Sequence, residues 1–593
     1  MVTKELRGGR SSYLPQGTPA EYTDPVRALA AVLWSVLVGL FAVVAIAEPL
    51  QFGMLGDTPA WTWMSPRMFA AERALGVQQA RVDVVWADLQ HSDGTFDFRI
   101  SDNRFSAVAG SDGARPMQPF PTIYVGRGWM TCDLPCEHLF TSGTCERESP
   151  FCKPGCGCCQ RCPGAPSLSE IPKDLSADAD PNFAFSRTYY EFVQAFIDHY
   201  RDRLTYVTIE SETDNASYWN TLRDPDGTLY LRLLATAYKA VKDTQPNIQV
   251  ADSGLASNRL GLCIAKHRLE VEQRPDQEVF DFVRAYSASW GKAVDPPAQP
   301  PLASVGDLVG YLHAFADCAP LDNLVASESV DAWNFHYYES ERTLDSVAQY
   351  FAARDAEHGR DARPLLTNQI SCRPQASGDD NDEARCLFKN LIAVQALGVR
   401  SATWYGVSGQ LGVVPWDEAG DERPAARAYR FVATTLGGGF AAPPGAQIGP
   451  ALYRADFTDL STGAAAAVAL WSEDGSSHTV TLLQPPGYGE ARIADYLGRV
   501  HAIVNPPAGT VDVDVATDPL LITWKRVILP CVGDCNGDGS VTIDELITGV
   551  NIALDNLTTD ACGNFDSNGD GAVTIDELIQ GVTVALGDVC TPI

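Results

Sequence analysis

The chain has 593 residues, 45% of them hydrophobic and 20% charged. That is enough apolar material for several packed cores and too little charge for a disordered polymer. Its formal net charge is −31, from 75 acidic and 44 basic side chains. A surface so negative is repelled by phosphate, which excludes sequence-independent binding of nucleic acid. The excess is uneven: residues 531–593 hold nine Asp and two Glu but no Lys or Arg, a composition that calls for cations.

In chain order, residues 1–27 form an N-terminal tail. Residues 28–47, ALAAVLWSVLVGLFAVVAIA, carry no charge, follow Arg27, and end in the small-x-small pattern of Ala45 and Ala47. This reads as a secretory signal; its length also allows a retained membrane anchor. Either way residues 48–593 are expected outside the cytoplasm, secreted or at the cell surface. The sixteen cysteines agree with an oxidising compartment. Eight of them fall between Cys132 and Cys162, inside a Pro- and Gly-rich insert over 130–164 without apolar periodicity. Four disulfides are the expectation there. The rival is a metal cluster, given the ligand-like spacing of Cys156, Cys158, Cys159 and Cys162. Cys263 with Cys318, and Cys372 with Cys386, are further expected pairs.

From 48 to 440 strand and helix patterns alternate. Strands are expected at Phe52–Asp57, Gln79–Trp86, Thr122–Gly126, Tyr206–Glu212, Gln249–Ser253, Ala332–Tyr338, Pro364–Ile370 and Ala402–Gly406. Helices are clearest over 65–76, 186–203, 229–243, 344–359, 382–398 and 423–436. In TYYEFVQAFIDHY, Tyr189, Phe192, Phe196 and Tyr200 recur three to four apart, which makes one helix face. Eight such units predict an α/β fold of the (β/α)8 barrel type, with the Cys-rich insert after the third strand on the face where barrels carry their chemistry. An open doubly wound sheet is disfavoured because no Gly-rich dinucleotide fingerprint follows the first strand. Residues 441–529 switch to short alternating runs (HTVTLLQ, TVDVDV, LLITW), which predict a small antiparallel, sandwich-like β-domain.

Residues 530–593 carry a repeat. DCNGDGSVTIDE begins at Asp534 and DSNGDGAVTIDE at Asp566. Each supplies oxygen donors at loop positions one, three and five, Gly at six and Glu at twelve, the spacing of a twelve-residue Ca²⁺ loop. Two Ca²⁺ sites are expected. The first uses Asp534, Asn536, Asp538, the Ser540 carbonyl, Thr542 and Glu545. The second uses Asp566, Asn568, Asp570, the Ala572 carbonyl, Thr574 and Glu577. The duplicated loops resemble those of dockerin-like modules, and that resemblance implies a small helical domain with a cohesin-like protein partner. Two features depart from it: Glu stands at position twelve where dockerins usually have Asp, and Cys531, Cys535, Cys562 and Cys590 are added. A calcium-stapled tail without a partner is the rival reading.

Barrel enzymes hold their chemistry at the carboxyl ends of strands. Glu210-Ser211-Glu212 closes the fourth expected strand, and alternation places both glutamates on one side. Around these residues the chain resembles the clan A glycoside hydrolases of the xylosidase and iduronidase type. GVQQARVDVVWADLQHSDGTFDF, with Arg81 and Trp86, is similar to their second-strand segment. YVTIESETDNASYW is similar to the fourth, VDAWNFHYY with His336 and Tyr338 to the sixth, RPLLTNQIS to the seventh, and ATWYG with Trp404 to the eighth. The resemblance implies a carbohydrate substrate, Glu212 as general acid/base, and Arg81, Trp86, His336, Tyr338 and Trp404 as sugar contacts. It places Gln369 where the nucleophilic carboxylate stands in a retaining enzyme, and Ser211 where Asn is common. A neutral amide forms no glycosyl ester, so Glu339 and Glu210 become candidates for a second carboxylate. Trp61, Trp63, Trp129, Trp219, Trp333 and Tyr337 are further rings near strand ends that could stack on sugar. The expected function is hydrolysis of O-glycosidic bonds. The alternatives are a carbohydrate-binding pseudoenzyme and a cell-surface scaffold or adhesion protein.

Overall fold

The computed structural model describes residues 50–586, apart from 58–64, 111–115, 128–129, 132–167, 177, 179, 291–302, 374–378, 407–415, 417–420, 442–446, 449–450, 507–508, 528–530 and 538. The apolar segment 28–47, the eight clustered cysteines and Asp538 therefore lie outside the described residues.

Eight parallel strands run in chain order: β1 (Gln51–Asp57), β2 (Gln79–Val85), β3 (Gln118–Tyr124), β4 (Tyr206–Ile209), β5 (Gln249–Ala251), β6 (Trp333–Tyr337), β7 (Leu365–Ile370) and β8 (Ser401–Trp404). They pair in the order β5-β4-β3-β2-β1-β8-β7-β6, and a parallel bridge from Ala251 to Ala332 joins the two ends. The α/β barrel expected from the alternating pattern is the observed fold. Its strands are buried on both faces, as β2 is throughout, so they read as continuous apolar runs. Strand β3 starts four residues before its predicted beginning. Pro119 and Pro121 lack the N–H a ladder uses, and so disguise its first half.

Helices surround the barrel: α1 (Ser65–Ala74), α2 (Arg99–Ala109), α3 (Arg187–Tyr200), α4 (Thr228–Thr244), α5 (Ser257–Glu270), α6 (Asp276–Tyr286), α7 (Val305–Phe315), α8 (Ala319–Ala326), α9 (Leu344–Glu357), α10 (Asp380–Ala396) and α11 (Pro424–Leu436). The predicted face of α3 is the buried one: Tyr189, Phe192, Phe196 and Tyr200 all face the wall. Disulfides Cys263–Cys318 and Cys372–Cys386 form as the sequence suggested.

Nine antiparallel strands follow: β9 (Phe440–Ala441), β10 (Gln447–Ile448), β11 (Leu452–Asp459), β12 (Ala465–Ser472), β13 (His478–Leu483), β14 (Tyr488–Asp495), β15 (Val500–Val504), β16 (Thr510–Val515) and β17 (Leu520–Arg526). Seven make one sheet, and β13 with β16 makes a separate ribbon. Alternation sorts their faces. Val468, Ile493 and Ile522 meet Leu482, Val511 and Val513 of the ribbon. Tyr453, Phe457 and Trp471 join the barrel's own apolar core. Arg385 of α10 pairs with Asp518 at 2.6 Å, and Lys389 lies 5.1 Å over the Trp471 ring, so the sheet is fastened to the barrel.

The tail holds α12 (Ile543–Ala553) and α13 (Ile575–Ala585), each started by a capping box, Thr542 with Glu545 and Thr574 with Glu577. Its core is small: Phe565 is fully buried among Val532, Ile552, Cys562 and Val573. Gly549 and Gly581 admit that ring, since a Cβ would lie 2.5 and 2.7 Å from it. The Cys535–Cys562 disulfide staples the module, which so few apolar residues require. Among the described residues no helix is long and apolar enough to cross a membrane.

Candidate active site

The mouth of the barrel is organised by the segment after β4. That strand ends at Ile209, not at Glu212 as expected. Glu210 and Glu212 then take φ of +64° and +43°, left-handed backbone that costs a non-glycine residue roughly 1–2 kcal/mol. Hydrogen bonds hold it: the Glu210 N–H donates to Ile123 O at 2.9 Å and the Glu212 N–H to Gly254 O at 3.0 Å. Strand alternation no longer applies, and the two carboxylates part.

Glu212 enters the mouth. Its Oε1 lies 2.8 Å from His336 Nδ1, and its Oε2 accepts from Asn215 Nδ2 at 2.9 Å. Gly254 is required beside this pair, since a Cβ there would lie 2.6 Å from the His336 ring, and its φ is +64°. Burial pushes the Glu212 carboxyl up. The hydrogen bond and charge of His336, the Asn215 amide and the Arg81 guanidinium outweigh that and hold it below the usual carboxylate range. Glu210 turns outward. Its carboxylate accepts from the Val125 N–H at 2.6 Å and faces Tyr189 of α3 and Tyr230 of α4. Burial without a cation pushes it up to about 8. Glu210 is thus a wall residue, not a second carboxylate of the mouth.

Strand β7 presents two consecutive side chains to the interior because its pairing with β8 shifts register between Thr367 and Ile370, a bulge of the kind that re-aims side chains near sites. Asn368 Nδ2 donates to Thr122 and Thr208, and its Oδ1 meets Asn334 and His336. Gln369 Oε1 accepts from Arg81 Nη1 at 3.0 Å, and its Nε2 donates to the Tyr338 hydroxyl. Arg81 also donates to Asp83 Oδ1 at 3.1 Å and to the Tyr124 hydroxyl at 2.8 Å. Gln369, Arg81, His336 and Tyr338 are therefore brought together with Glu212, and a guanidinium meets an amide at the position expected for a nucleophile.

Glu339 does not join them. Its Oε1 accepts from Ser257, Trp290 and Arg373 at 3.0, 3.0 and 3.1 Å, and its Oε2 from the Tyr338 N–H at 2.9 Å. Four donors, one of them the Arg373 guanidinium, commit it to the wall. Trp86 is likewise no sugar platform: it is fully buried and packs on Phe192 and Tyr189 of α3 with ring centroids 5.4 and 5.2 Å away. Trp404 is fully buried at the end of β8 and shows solvent no face. Trp219 donates to Asp224, Trp333 packs between Phe351 and Arg363, and Tyr337 meets Tyr286 edge-on. Trp61, Trp63 and Trp129 lie outside the described residues.

Three residues of the mouth escaped the sequence reading. Tyr218 and Tyr405 are half-buried rings; Tyr405 stands edge-on to Tyr338 at 6.2 Å. Tyr218 lies within electrostatic reach of both Glu212 and Asp83. Asp83 is a second carboxylate, lifted by burial even against Arg81. Its signal was present: Arg81 and Asp83 sit two apart in an apolar strand, hence on one face.

In the tail the two loops close alike. Asp534 accepts from the Gly537 and Gly539 N–H groups, and Asp566 from those of Asp570 and Gly571. Glu545 Oε1 accepts from the Cys535 and Asn536 amides, and Glu577 Oε1 from those of Ser567 and Asn568. The position-six glycines, Gly539 and Gly571, both have φ +86°. The donors are hard oxygens, the kind Ca²⁺ takes. Among the described residues no three His, Cys, Asp or Glu side chains already converge as a metal cage.

No family model and no curated protein matches the chain. Solved structures do. A family 39 glycoside hydrolase from the gut symbiont Bacteroides cellulosilyticus WH2 superposes with a TM-score of 0.50 at 13% identity, covering 81% of each chain. A family 30 endoxylanase from Clostridium papyrosolvens C71 gives 0.46 at 10% identity over 82% of this chain and 98% of its own. A monomeric β-xylosidase from Caulobacter crescentus CB15 gives 0.44 at 13% over 81% and 98%. At this identity the first likeness establishes the fold.

Proposed function

We propose that this is an exported, glycoside-hydrolase-like protein whose barrel mouth binds an oligosaccharide, and whose retaining route to O-glycoside hydrolysis is blocked at Gln369. The observation that carries this reading is the Arg81–Gln369–Tyr338 contact beside Glu212. Retention needs a carboxylate to attack the anomeric carbon and a second group to protonate the leaving oxygen. Glu212 can do the second; an amide cannot do the first. Binding survives that loss, because Arg81, Asn215 and the rings of Tyr338, Tyr218 and Tyr405 can still hold hydroxyls and sugar faces. Titration calorimetry of the full chain against neutral and acidic oligosaccharides should find a ligand, and Tyr338→Ala should weaken it by at least about tenfold, the loss of one central aromatic contact. No heat with any sugar overturns the reading.

A second reading, hydrolysis with inversion, is favoured by one observation: Asp83 places a carboxylate on Arg81 in the same mouth. It would draw a proton from water while Glu212 protonates the leaving oxygen. Wild-type protein releasing product of inverted anomeric configuration by NMR, with the activity lost in Asp83→Asn, would select it.

For the tail we propose two Ca²⁺ ions held by the residues of the repeated loops, with Asp538 completing the first. Calorimetry on the full chain should show two binding events, and a Ca²⁺-dependent rise in the melting temperature of the tail. Glu545→Gln or Glu577→Gln should weaken its own loop most, since position twelve gives two oxygens. Absence of both heat and stabilisation counts against it. Ile543, Ile547 and Val550 on α12 with Leu554 just beyond it, and Ile575, Ile579 and Val582 on α13 with Leu586 just beyond it, are exposed at matching spacings. These stripes support a docking role toward a cohesin-like protein. The disulfides at Cys263–Cys318, Cys372–Cys386 and Cys535–Cys562 support an oxidising, extracytoplasmic setting.

A further inference from the structure

The hydrogen-bond chain behind Glu212 fixes where its protons are. Asn334 Oδ1 accepts from the Asn368 backbone N–H at 3.0 Å, so its other end, Nδ2, is the donor that meets Asn368 Oδ1 at 2.9 Å and Asp252 O at 3.2 Å. Asn368 Nδ2 is committed to the Thr122 and Thr208 hydroxyls, both at 3.2 Å. Asn368 Oδ1 is therefore an acceptor with no proton of its own. His336 Nε2 stands 2.9 Å from it, and so must donate. A neutral imidazole protonated at Nε2 has only a lone pair at Nδ1. That nitrogen lies 2.8 Å from Glu212 Oε1. Two bare lone pairs at that distance repel, so one proton lies between them.

We infer that Glu212 and His336 work as one proton-holding pair, in which the imidazole stores the proton that Glu212 hands to a leaving oxygen. This rests on the reading of Glu212 as the acid of the cleft. The pair is buried: His336 is 0% and Glu212 8% exposed. Arg81 from β2, Asp214 and Tyr218 from the loop after β4, and Tyr338 at the end of β6 face Glu212; Asp214 is itself paired with Arg259 at 3.1 Å. Glu212 accepts a second hydrogen bond from Asn215 at 2.9 Å and faces the Arg81 guanidinium, and both favour the ionised carboxylate, so the resting proton belongs on the Nδ1 side of the contact. In the step, the Nδ1–H bond breaks as its proton passes to Glu212 Oε1, and the carboxyl O–H so formed breaks in turn as the O–H bond forms at the leaving oxygen, whose electron pair comes from the breaking glycosidic C–O bond. Glu212 is singly charged before and after, the imidazolium becomes neutral, and Nε2–H stays on Asn368. A lone glutamate held this acidic would be ionised at neutral pH and have nothing to give. His336 is thus a positioning and storage residue acting through Glu212, and the Thr122–Thr208–Asn368–Asn334 chain sets its tautomer.

The test is ¹⁵N NMR of histidine-labelled full-length protein, the signal of His336 being assigned by its loss in His336→Gln. At pH 7 both ring nitrogens should carry protons, with Nε2–H slow to exchange. In Glu212→Gln at the same pH, Nδ1 should lose its proton and the ring should read as the neutral Nε2–H tautomer. A pH titration of the wild type alone, following Nδ1 and the Glu212 carboxyl carbon, should show both moving in the same steps, which keeps the question answerable should the variant fail to fold. A neutral Nδ1–H tautomer in the wild type, a ring indifferent to Glu212→Gln, or independent titrations would overturn the inference. None of these readouts needs turnover. Failure to bind or cleave sugar would sink the proposed function and leave the proton assignment standing.

Discussion

Gln369→Glu should turn the protein into a measurable glycosidase. The substitution is isosteric, and it delivers a carboxylate to a place where Arg81 Nη1 already donates at 3.0 Å and the Tyr338 hydroxyl is in contact. The guanidinium would keep the new group ionised and aim it. Removing a nucleophile from a catalytic set costs up to about 10⁶-fold in turnover, so restoring one should raise hydrolysis of aryl glycosides with good leaving groups by at least about 100-fold. Adding Glu212→Gln should erase the gain on poor leaving groups and spare much of it on good ones, because only poor ones need the proton. Product configuration should be retained. A variant that binds sugar as the wild type does, yet shows no gain on any aryl glycoside, would mean that Gln369 does not stand where a nucleophile must.

Glu210→Gln should change stability rather than activity. The native carboxyl is pushed up to about 8 by burial, against an ordinary value near 4.5 in the unfolded chain. Between those values the unfolded state releases a proton that the folded state keeps. Folding stability contributed by this group is therefore full below about pH 4.5 and drains away as pH rises to about 8. At about 1.4 kcal/mol per unit, the loss is on the order of 3–5 kcal/mol. Gln cannot ionise and can still accept from the Val125 N–H. The variant should thus denature at a higher midpoint than wild type at pH 8.5, with the two converging near pH 4.5. Equal midpoints across that range would show that the carboxylate is solvated after all.

Both predictions depend on features that the sequence carried unequally. Barrel strands were legible because burial on both faces forces continuous apolar runs, and α3 because one buried stripe forces a 3.6-residue period. The tail loops were legible because the spacing of a repeated twelve-residue turn is local. What failed at Glu210 and Glu212 was a period-two argument carried past the end of a strand. Two left-handed residues, held by hydrogen bonds to β3 and to the loop after β5, send one carboxylate into the mouth and the other into the wall. Trp86 and Trp404 look the same in sequence whether they stack on sugar or on a helix, since ring size sets burial but not direction. Glu339 was lost to Arg373, thirty-four residues away, a partner no local pattern announces. The register shift in β7 that turns Asn368 and Gln369 inward together, and the contact of Gln369 with Arg81 from β2, exist only once the barrel closes. By itself the sequence determined the order of strands and helices, and with it which segments end at the mouth, because apolar periodicity fixes that order. Tertiary structure decided which of them face one another, because side-chain direction at strand ends is set by long-range hydrogen bonds that a one-dimensional pattern does not contain.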